Sequence, residues 1–152
     1  MRLALALLLV LSVPSVVPAQ DGGPSRWQGQ WTNPRGHLFA ADAQLEFRPD
    51  GTVQGTITWT LVKSPRPGEQ AKLGQKGVEH VRGRYDARCR LLSLEGHSKD
   101  DPNTVIGLDV YRLVLTENGK ALVGPTRSHR EWEGRFEATR VLGDEDQISP
   151  RR

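Results

Sequence analysis

Residues 52–62 read TVQGTITWTLV. Val53, Ile57, Trp59 and Leu61 fall on one parity, and Thr52, Gln54, Thr56, Thr58 and Thr60 on the other. Apolar and polar side chains that alternate in this way follow the two-residue period of a strand with one face in a core and one in water. Threonine and the β-branched residues support the reading, because they pack well on a pleated surface. Gly55 falls on the apolar parity, where it permits a bend. Just upstream, Leu45 and Phe47 alternate with Gln44, Glu46 and Arg48, and Pro49-Asp50-Gly51 between the two runs is a tight-turn sequence. This defines one hairpin.

Working outward, VEHVRGRYD (78–86) and CRLLSLEG (89–96) form a second hairpin around Asp86-Ala87-Arg88. TVIGLDVYRLVLT (104–116) and ALVG (121–124) form a third, with Asn118-Gly119 as the turn signal. EWEGRFEATRVL (131–142) alternates Trp132, Gly134, Phe136 and Ala138 with polar residues. SPRPGEQAKLGQKG (64–77), with its prolines and glycines, reads as a mobile loop, and HSKDDPN (97–103) as a polar connection. No segment carries a useful helical period. Seven or eight short strands joined mostly by hairpins predict an all-β fold, an antiparallel up-and-down β-barrel of about eight strands, with a β-sandwich as the alternative. Closure into a barrel removes the edges that would otherwise template aggregation. Eight strands enclose an interior that side chains fill or that holds one small ligand.

The first residues, MRLALALLLVLSVPSVVPA, run from one arginine through an apolar stretch to prolines and a small residue. That order predicts a signal peptide over 1–19, cleaved after Ala19, and an apolar run too short for a membrane span. Residues 20–26 read as a disordered lead-in, 27–143 as the barrel domain and 144–152 as a flexible tail. Without Arg2 the mature chain has 20 basic and 18 acidic residues, a net charge of +2. So small a balance gives no reason to expect nucleic acid as a partner. Cys89 is the only cysteine, so no intrachain disulfide forms. The expected location is secreted or periplasmic.

Gly29-x-Trp31-Thr32-Asn33-x-x-Gly36 resembles the first-strand motif of the avidin and streptavidin family, and more broadly the entrance of lipocalin-like (calycin) barrels. Residues 50–56, 83–86 and 136–141 are similar to later segments of the avidin family in the same order. The resemblance implies a barrel whose mouth binds a small ligand, biotin in that family, with Asn33 at the position of an asparagine that holds the ureido oxygen. His37 replaces a neighbouring hydroxyl donor, Ile57 replaces a binding tyrosine, and Phe136 stands where one tryptophan would be. Asp144 matches the distance of the family's last polar contact. These departures argue against tight biotin binding.

Among residues that carry chemistry, His37, His80, His97 and His129 are dispersed, with no metal-ligand spacing, and no nucleophile elbow is present. Asp100, Asp101 and Asn103 lack the spacing of a calcium loop. Cys89, between Arg88 and Arg90, is expected to face the interior as packing. Arg82, Arg84, Arg88 and Arg90 make a positive stripe, read as a solvated outer face balanced by Glu46, Glu79 and Glu95. Trp59, Tyr111, Trp132 and Phe136 are expected to point inward, and Trp31 to plug one end. The function read from this pattern is a non-enzymatic binding protein without cofactor or metal, taking a small, partly apolar ligand in the barrel mouth through Asn33, His37, Trp59, Tyr111 and Trp132. The alternative is a protein-interaction barrel with a filled core, such as a periplasmic inhibitor or envelope assembly factor, working through loop 64–77.

Overall fold

Eight antiparallel strands follow one another around a closed barrel in chain order, so every connection is a hairpin. The structure, a computed structural model, describes residues 24–128 and 130–142. The predicted signal peptide, most of the lead-in, His129, Asp144 and the tail lie outside the described residues. The strands are β1 Ser25–Thr32, β2 Leu38–Phe47, β3 Thr52–Lys63, β4 Lys76–Asp86, β5 Leu91–Asp100, β6 Val110–Leu115, β7 Ala121–Ser128 and β8 Glu131–Val141. Pairing of β1 with β8, Arg26 opposite Val141 through Thr32 opposite Arg135, closes the sheet. The barrel reading holds and the sandwich alternative falls.

The alternation that defined β3 is realised in burial: Val53, Ile57, Trp59 and Leu61 face the core. Val53, Ile57 and Trp59 join Trp27, Leu45, Leu92, Leu94, Tyr111, Leu113, Leu122 and Phe136 in one continuous cluster. Burial of each large apolar side chain contributes about 1.5–3 kcal/mol. Trp27 is fully buried, and its indole donates to Ser25 Oγ at 2.9 Å. It is Trp27 that fills the barrel interior, whereas Trp31, four residues later, stands half-buried toward the opposite end.

Boundaries shift where side chains capture backbone donors. β5 runs to Asp100, so residues 97–100 are strand and not a connection. β6 starts only at Val110, because the Asp101 carboxylate accepts the Val105 and Ile106 N–H groups at 2.8 and 3.0 Å and holds 101–109 as a folded loop. β1 begins at Ser25, so Ser25 and Arg26 belong to the barrel and not to the lead-in. The 64–77 segment is also structured. It contains a 3-10 helix, Pro67–Lys72, and Gly74 N–H and Gln75 C=O bond Leu61. Cys89 is exposed, a correction that follows from its place in the β4–β5 turn, where strand parity does not apply.

The two ends differ. At one, four- or five-residue turns join β2 to β3, β4 to β5 and β6 to β7. At the other lie the 33–37 turn and the longer 64–75 and 101–109 loops, linked where Lys72 Nζ donates to the Thr104 carbonyl at 3.0 Å.

Candidate functional site

The end carrying the long loops holds a cavity of about 100 Å³. Trp59 from β3, Glu79 from β4 and Tyr111 from β6 make its buried floor. Trp31 from β1, Phe39 from β2 and Ser128 from β7 form its rim together with Ile106, Gly107 and Asp109 of the 101–109 loop. Each floor residue is placed by strand parity. Glu79 shares that of Val81, so it points inward, while its neighbours His80 and Arg82 point out. Glu79 is 1% exposed, which overturns its expected role as a counter-charge on the outer face.

The carboxylate is held by three donors. Glu79 Oε2 accepts the Trp59 indole N–H at 3.0 Å and the Tyr111 hydroxyl at 2.5 Å, and Oε1 accepts the Asp109 backbone N–H at 2.9 Å. Gly96 lies against it: a Cβ there would come within 2.0 Å of Oε1. The Gly96 N–H in turn donates to the Asp109 carbonyl at 2.8 Å, so the rim loop is fastened to the floor. Burial pushes the Glu79 carboxyl up to about 7 against the lowering effect of its three donors, and the nearby Asp109 charge adds to the rise. Burial likewise raises the Tyr111 hydroxyl well above its ordinary value, with the Glu79 charge adding to it, so it remains a donor.

A second hydrogen-bonded line crosses the rim. The Trp31 indole donates to Thr126 Oγ1 at 2.6 Å, and that hydroxyl donates to Asp109 Oδ2 at 3.2 Å. Gly134 makes room for it, since a Cβ there would meet both Thr126 Oγ1 and Trp31 Nε1 within 2.4 Å. Edge-to-face contacts run from Trp31 through Phe39, Trp59 and Phe136 to Tyr111, with ring centroids 5.7–6.3 Å apart. Such pairs favour fixed ring orientations, so the aromatic wall is pre-set.

Of the residues expected to bind ligand, Trp59 and Tyr111 meet in this cavity. Asn33 and His37 do not line it. Asn33 Oδ1 accepts the His37 backbone N–H at 3.0 Å within the 33–37 turn, and His37 Nε2 lies 3.4 Å from Glu69 of the 64–75 loop. The two residues shape the loops around the mouth. Trp132 does not point inward. It is 42% exposed on the outer face, with the Arg112 and Arg127 guanidinium groups 5.2 and 5.4 Å from its ring. Along β8 the expected inward face holds at Gly134, Phe136 and Ala138 and fails at Trp132, which lies near the β7–β8 connection, where a register shift occurs. Glu79 and Asp109 were missed. Glu79 was legible from its parity with Val81, but Asp109 acts from a loop and carries no such signal.

The arginine stripe is solvated and largely paired. Arg82 bonds Glu95 at 3.0 Å, Arg88 lies 3.2 Å from Asp86 and Arg90 lies 3.6 Å from Glu117. Among the described residues no group of histidine, cysteine and carboxylate side chains is arranged to hold a metal. Asp101 is spent on its own loop, and Asp100 lies 2.8 Å from His80. No described helix is long and apolar enough to cross a membrane. Compared with known families, characterised proteins and solved structures, the chain matches none.

Proposed function

We propose that this chain is an exported, non-enzymatic binding barrel that receives a small, partly apolar ligand group in its mouth. One observation carries the reading: an otherwise filled core is interrupted by a cavity with aromatic walls and a polar floor. Mostly apolar lining with a few placed polar groups is the usual character of small-molecule sites. At about 100 Å³ the cavity is well below the ~300–1,000 Å³ of pockets for whole drug-sized ligands, so it takes a head group or a very small molecule. Export rests on the leader-like order of residues 1–19. The lipocalin-like reading is supported by the Gly-x-Trp entrance at Gly29 and Trp31.

The test is titration of tryptophan emission against a panel of small polar and amphipathic compounds, biotin included. Saturable change with at least one compound is expected, because Trp31 and Trp59 both line the cavity. Biotin is expected not to bind tightly, since Asn33 is engaged with His37 and Ile57 offers no donor. A panel without effect on emission overturns the reading. The second reading, a protein-interaction barrel, is favoured by Trp132, whose exposed ring between two arginines is the kind of side chain that anchors interfaces.

A further inference from the structure

Resting on that reading of the mouth, we infer that the ligand group is a compact organic cation, a primary ammonium or amidinium on a short apolar stem. The inference starts from a missing charge. Glu79 is enclosed at the floor of the cavity, and its three partners are all neutral donors. Among the described residues, no ion pair includes it. The neighbouring charge is that of Asp109, also negative and also on the cavity wall. Below about pH 7 the Glu79 carboxyl is neutralised by its own proton; above that its buried charge, with a like charge beside it, is costly unless a cation compensates it.

Glu79 lines the cavity, so a compensating group held there would lie against its carboxylate. Oε2 already accepts two bonds, whereas Oε1 accepts one and has capacity for another donor. An N–H there would meet the carboxylate directly. The walls suit a cation as well: Trp31, Phe39, Trp59 and Tyr111 surround the space, and aromatic faces attract ammonium and guanidinium groups through their quadrupoles. An anionic group would face two carboxylates in the same space. A neutral group of the same shape would gain the apolar contacts and leave the charge uncompensated.

This chemistry is shared by a free alkylamine and by the tip of a lysine side chain on a partner. The experiment therefore compares butylammonium, 1-butanol and butyrate, alike in stem and different in charge, with Nα-acetyl-lysinamide as a fourth probe, all followed by tryptophan emission and calorimetry on the full chain. The expected result is saturable binding of butylammonium at least tenfold tighter than of 1-butanol, with none of butyrate. Glu79→Gln is expected to weaken butylammonium at least tenfold. Asp109→Asn, which keeps the Asp109 backbone N–H, should weaken it too, and it serves if the first variant does not fold. Nα-acetyl-lysinamide binding as tightly as butylammonium assigns the group to a lysine side chain, and weaker binding assigns it to a free amine. Either result supports the cation. Equal binding of 1-butanol or butyrate overturns the inference while leaving the mouth a ligand site. So does butylammonium affinity unchanged in both variants. Silence from all four probes while another panel compound binds also overturns it, and silence from everything removes the proposed function as well.

Discussion

A carboxylate enclosed as Glu79 is, with neutral donors and a negative neighbour, changes how the whole fold responds to pH. Its folded pKa of about 7 lies above the ordinary 4.5, so the folded state holds a proton that the unfolded chain has released. The stabilisation is complete below the unfolded value and is lost as pH rises through the folded one. At about 1.4 kcal/mol per pKa unit, the span corresponds to roughly 3 kcal/mol between pH 4.5 and 8. Among the described residues, the titratable groups facing Glu79 are Asp109 from the loop and Tyr111 from β6, and the hydroxyl stays protonated throughout. Asp42, Asp50 and Asp86, held below the usual carboxylate range by hydrogen bonds from Arg26, Thr52 and Arg88, act with the opposite sign and only in more acidic solution. Urea unfolding should therefore show the wild type losing stability from pH 5 to pH 8, with the loss largely abolished in Glu79→Gln. An equal loss in that variant would assign the effect to other groups. Parity made Glu79 readable as an inward residue. Its charge disguised it, because charged side chains are expected outside, and that expectation also turned Cys89 the wrong way in a turn where parity has no meaning.

At the scale of single elements, the 101–109 loop shows why a strand pattern can be present without a strand. Residues 104–110 alternate enough to extend β6, but Asp101 captures the Val105 and Ile106 N–H groups that the ladder would have used. A local side-chain acceptor competes with the sheet and here it wins. The loop is held at a cost: Thr104, a β-branched residue, adopts a φ of 51°. The left-handed conformation costs such a residue about 1–2 kcal/mol. Thr104→Gly removes that strain and adds some backbone entropy to the unfolded chain, so a net stabilisation of up to about 1 kcal/mol is expected. Thermal unfolding should register it as a rise of a few degrees. A fall in the midpoint would show that the threonine side chain itself holds the loop. The element-level reading succeeded where two strands meet at a minimal turn, as at Asp50-Gly51, and missed where a folded loop borrows strand-like sequence.

For the molecule as a whole, stability depends on the seam between the first and last strands. Gly29 of β1 lies opposite Ala138 of β8, and a Cβ at Gly29 would come within 1.9 Å of the Glu137 carbonyl oxygen. Any side chain there must push the two strands apart. Gly29→Ala is expected to destabilise by several kcal/mol, on the scale of overpacked interiors, and to expose two edges at once. Gly68→Ala, in open space on the 3-10 helix, is the control and should change little. Light scattering on heating separates them: early aggregation is expected for the first variant alone. Unchanged behaviour of Gly29→Ala would show that the seam has slack. The closed barrel was legible because alternation recurs in most of the segments that hairpin turns join. Which end would stay open was not, since that depends on how loops fold over one another.

The difference between the two ends also sets where this protein can change over generations. A residue gained or lost in the tight turns shifts the register of two strands, and a shift of one position turns every side chain to the wrong face. The 64–75 and 101–109 loops can take up insertions locally, while their anchors at Leu61 and Glu79 stay in place. Heritable variation is thereby channelled to the rim of the cavity. Descendants of this chain can reshape the cavity by editing the rim loops while inheriting the barrel intact.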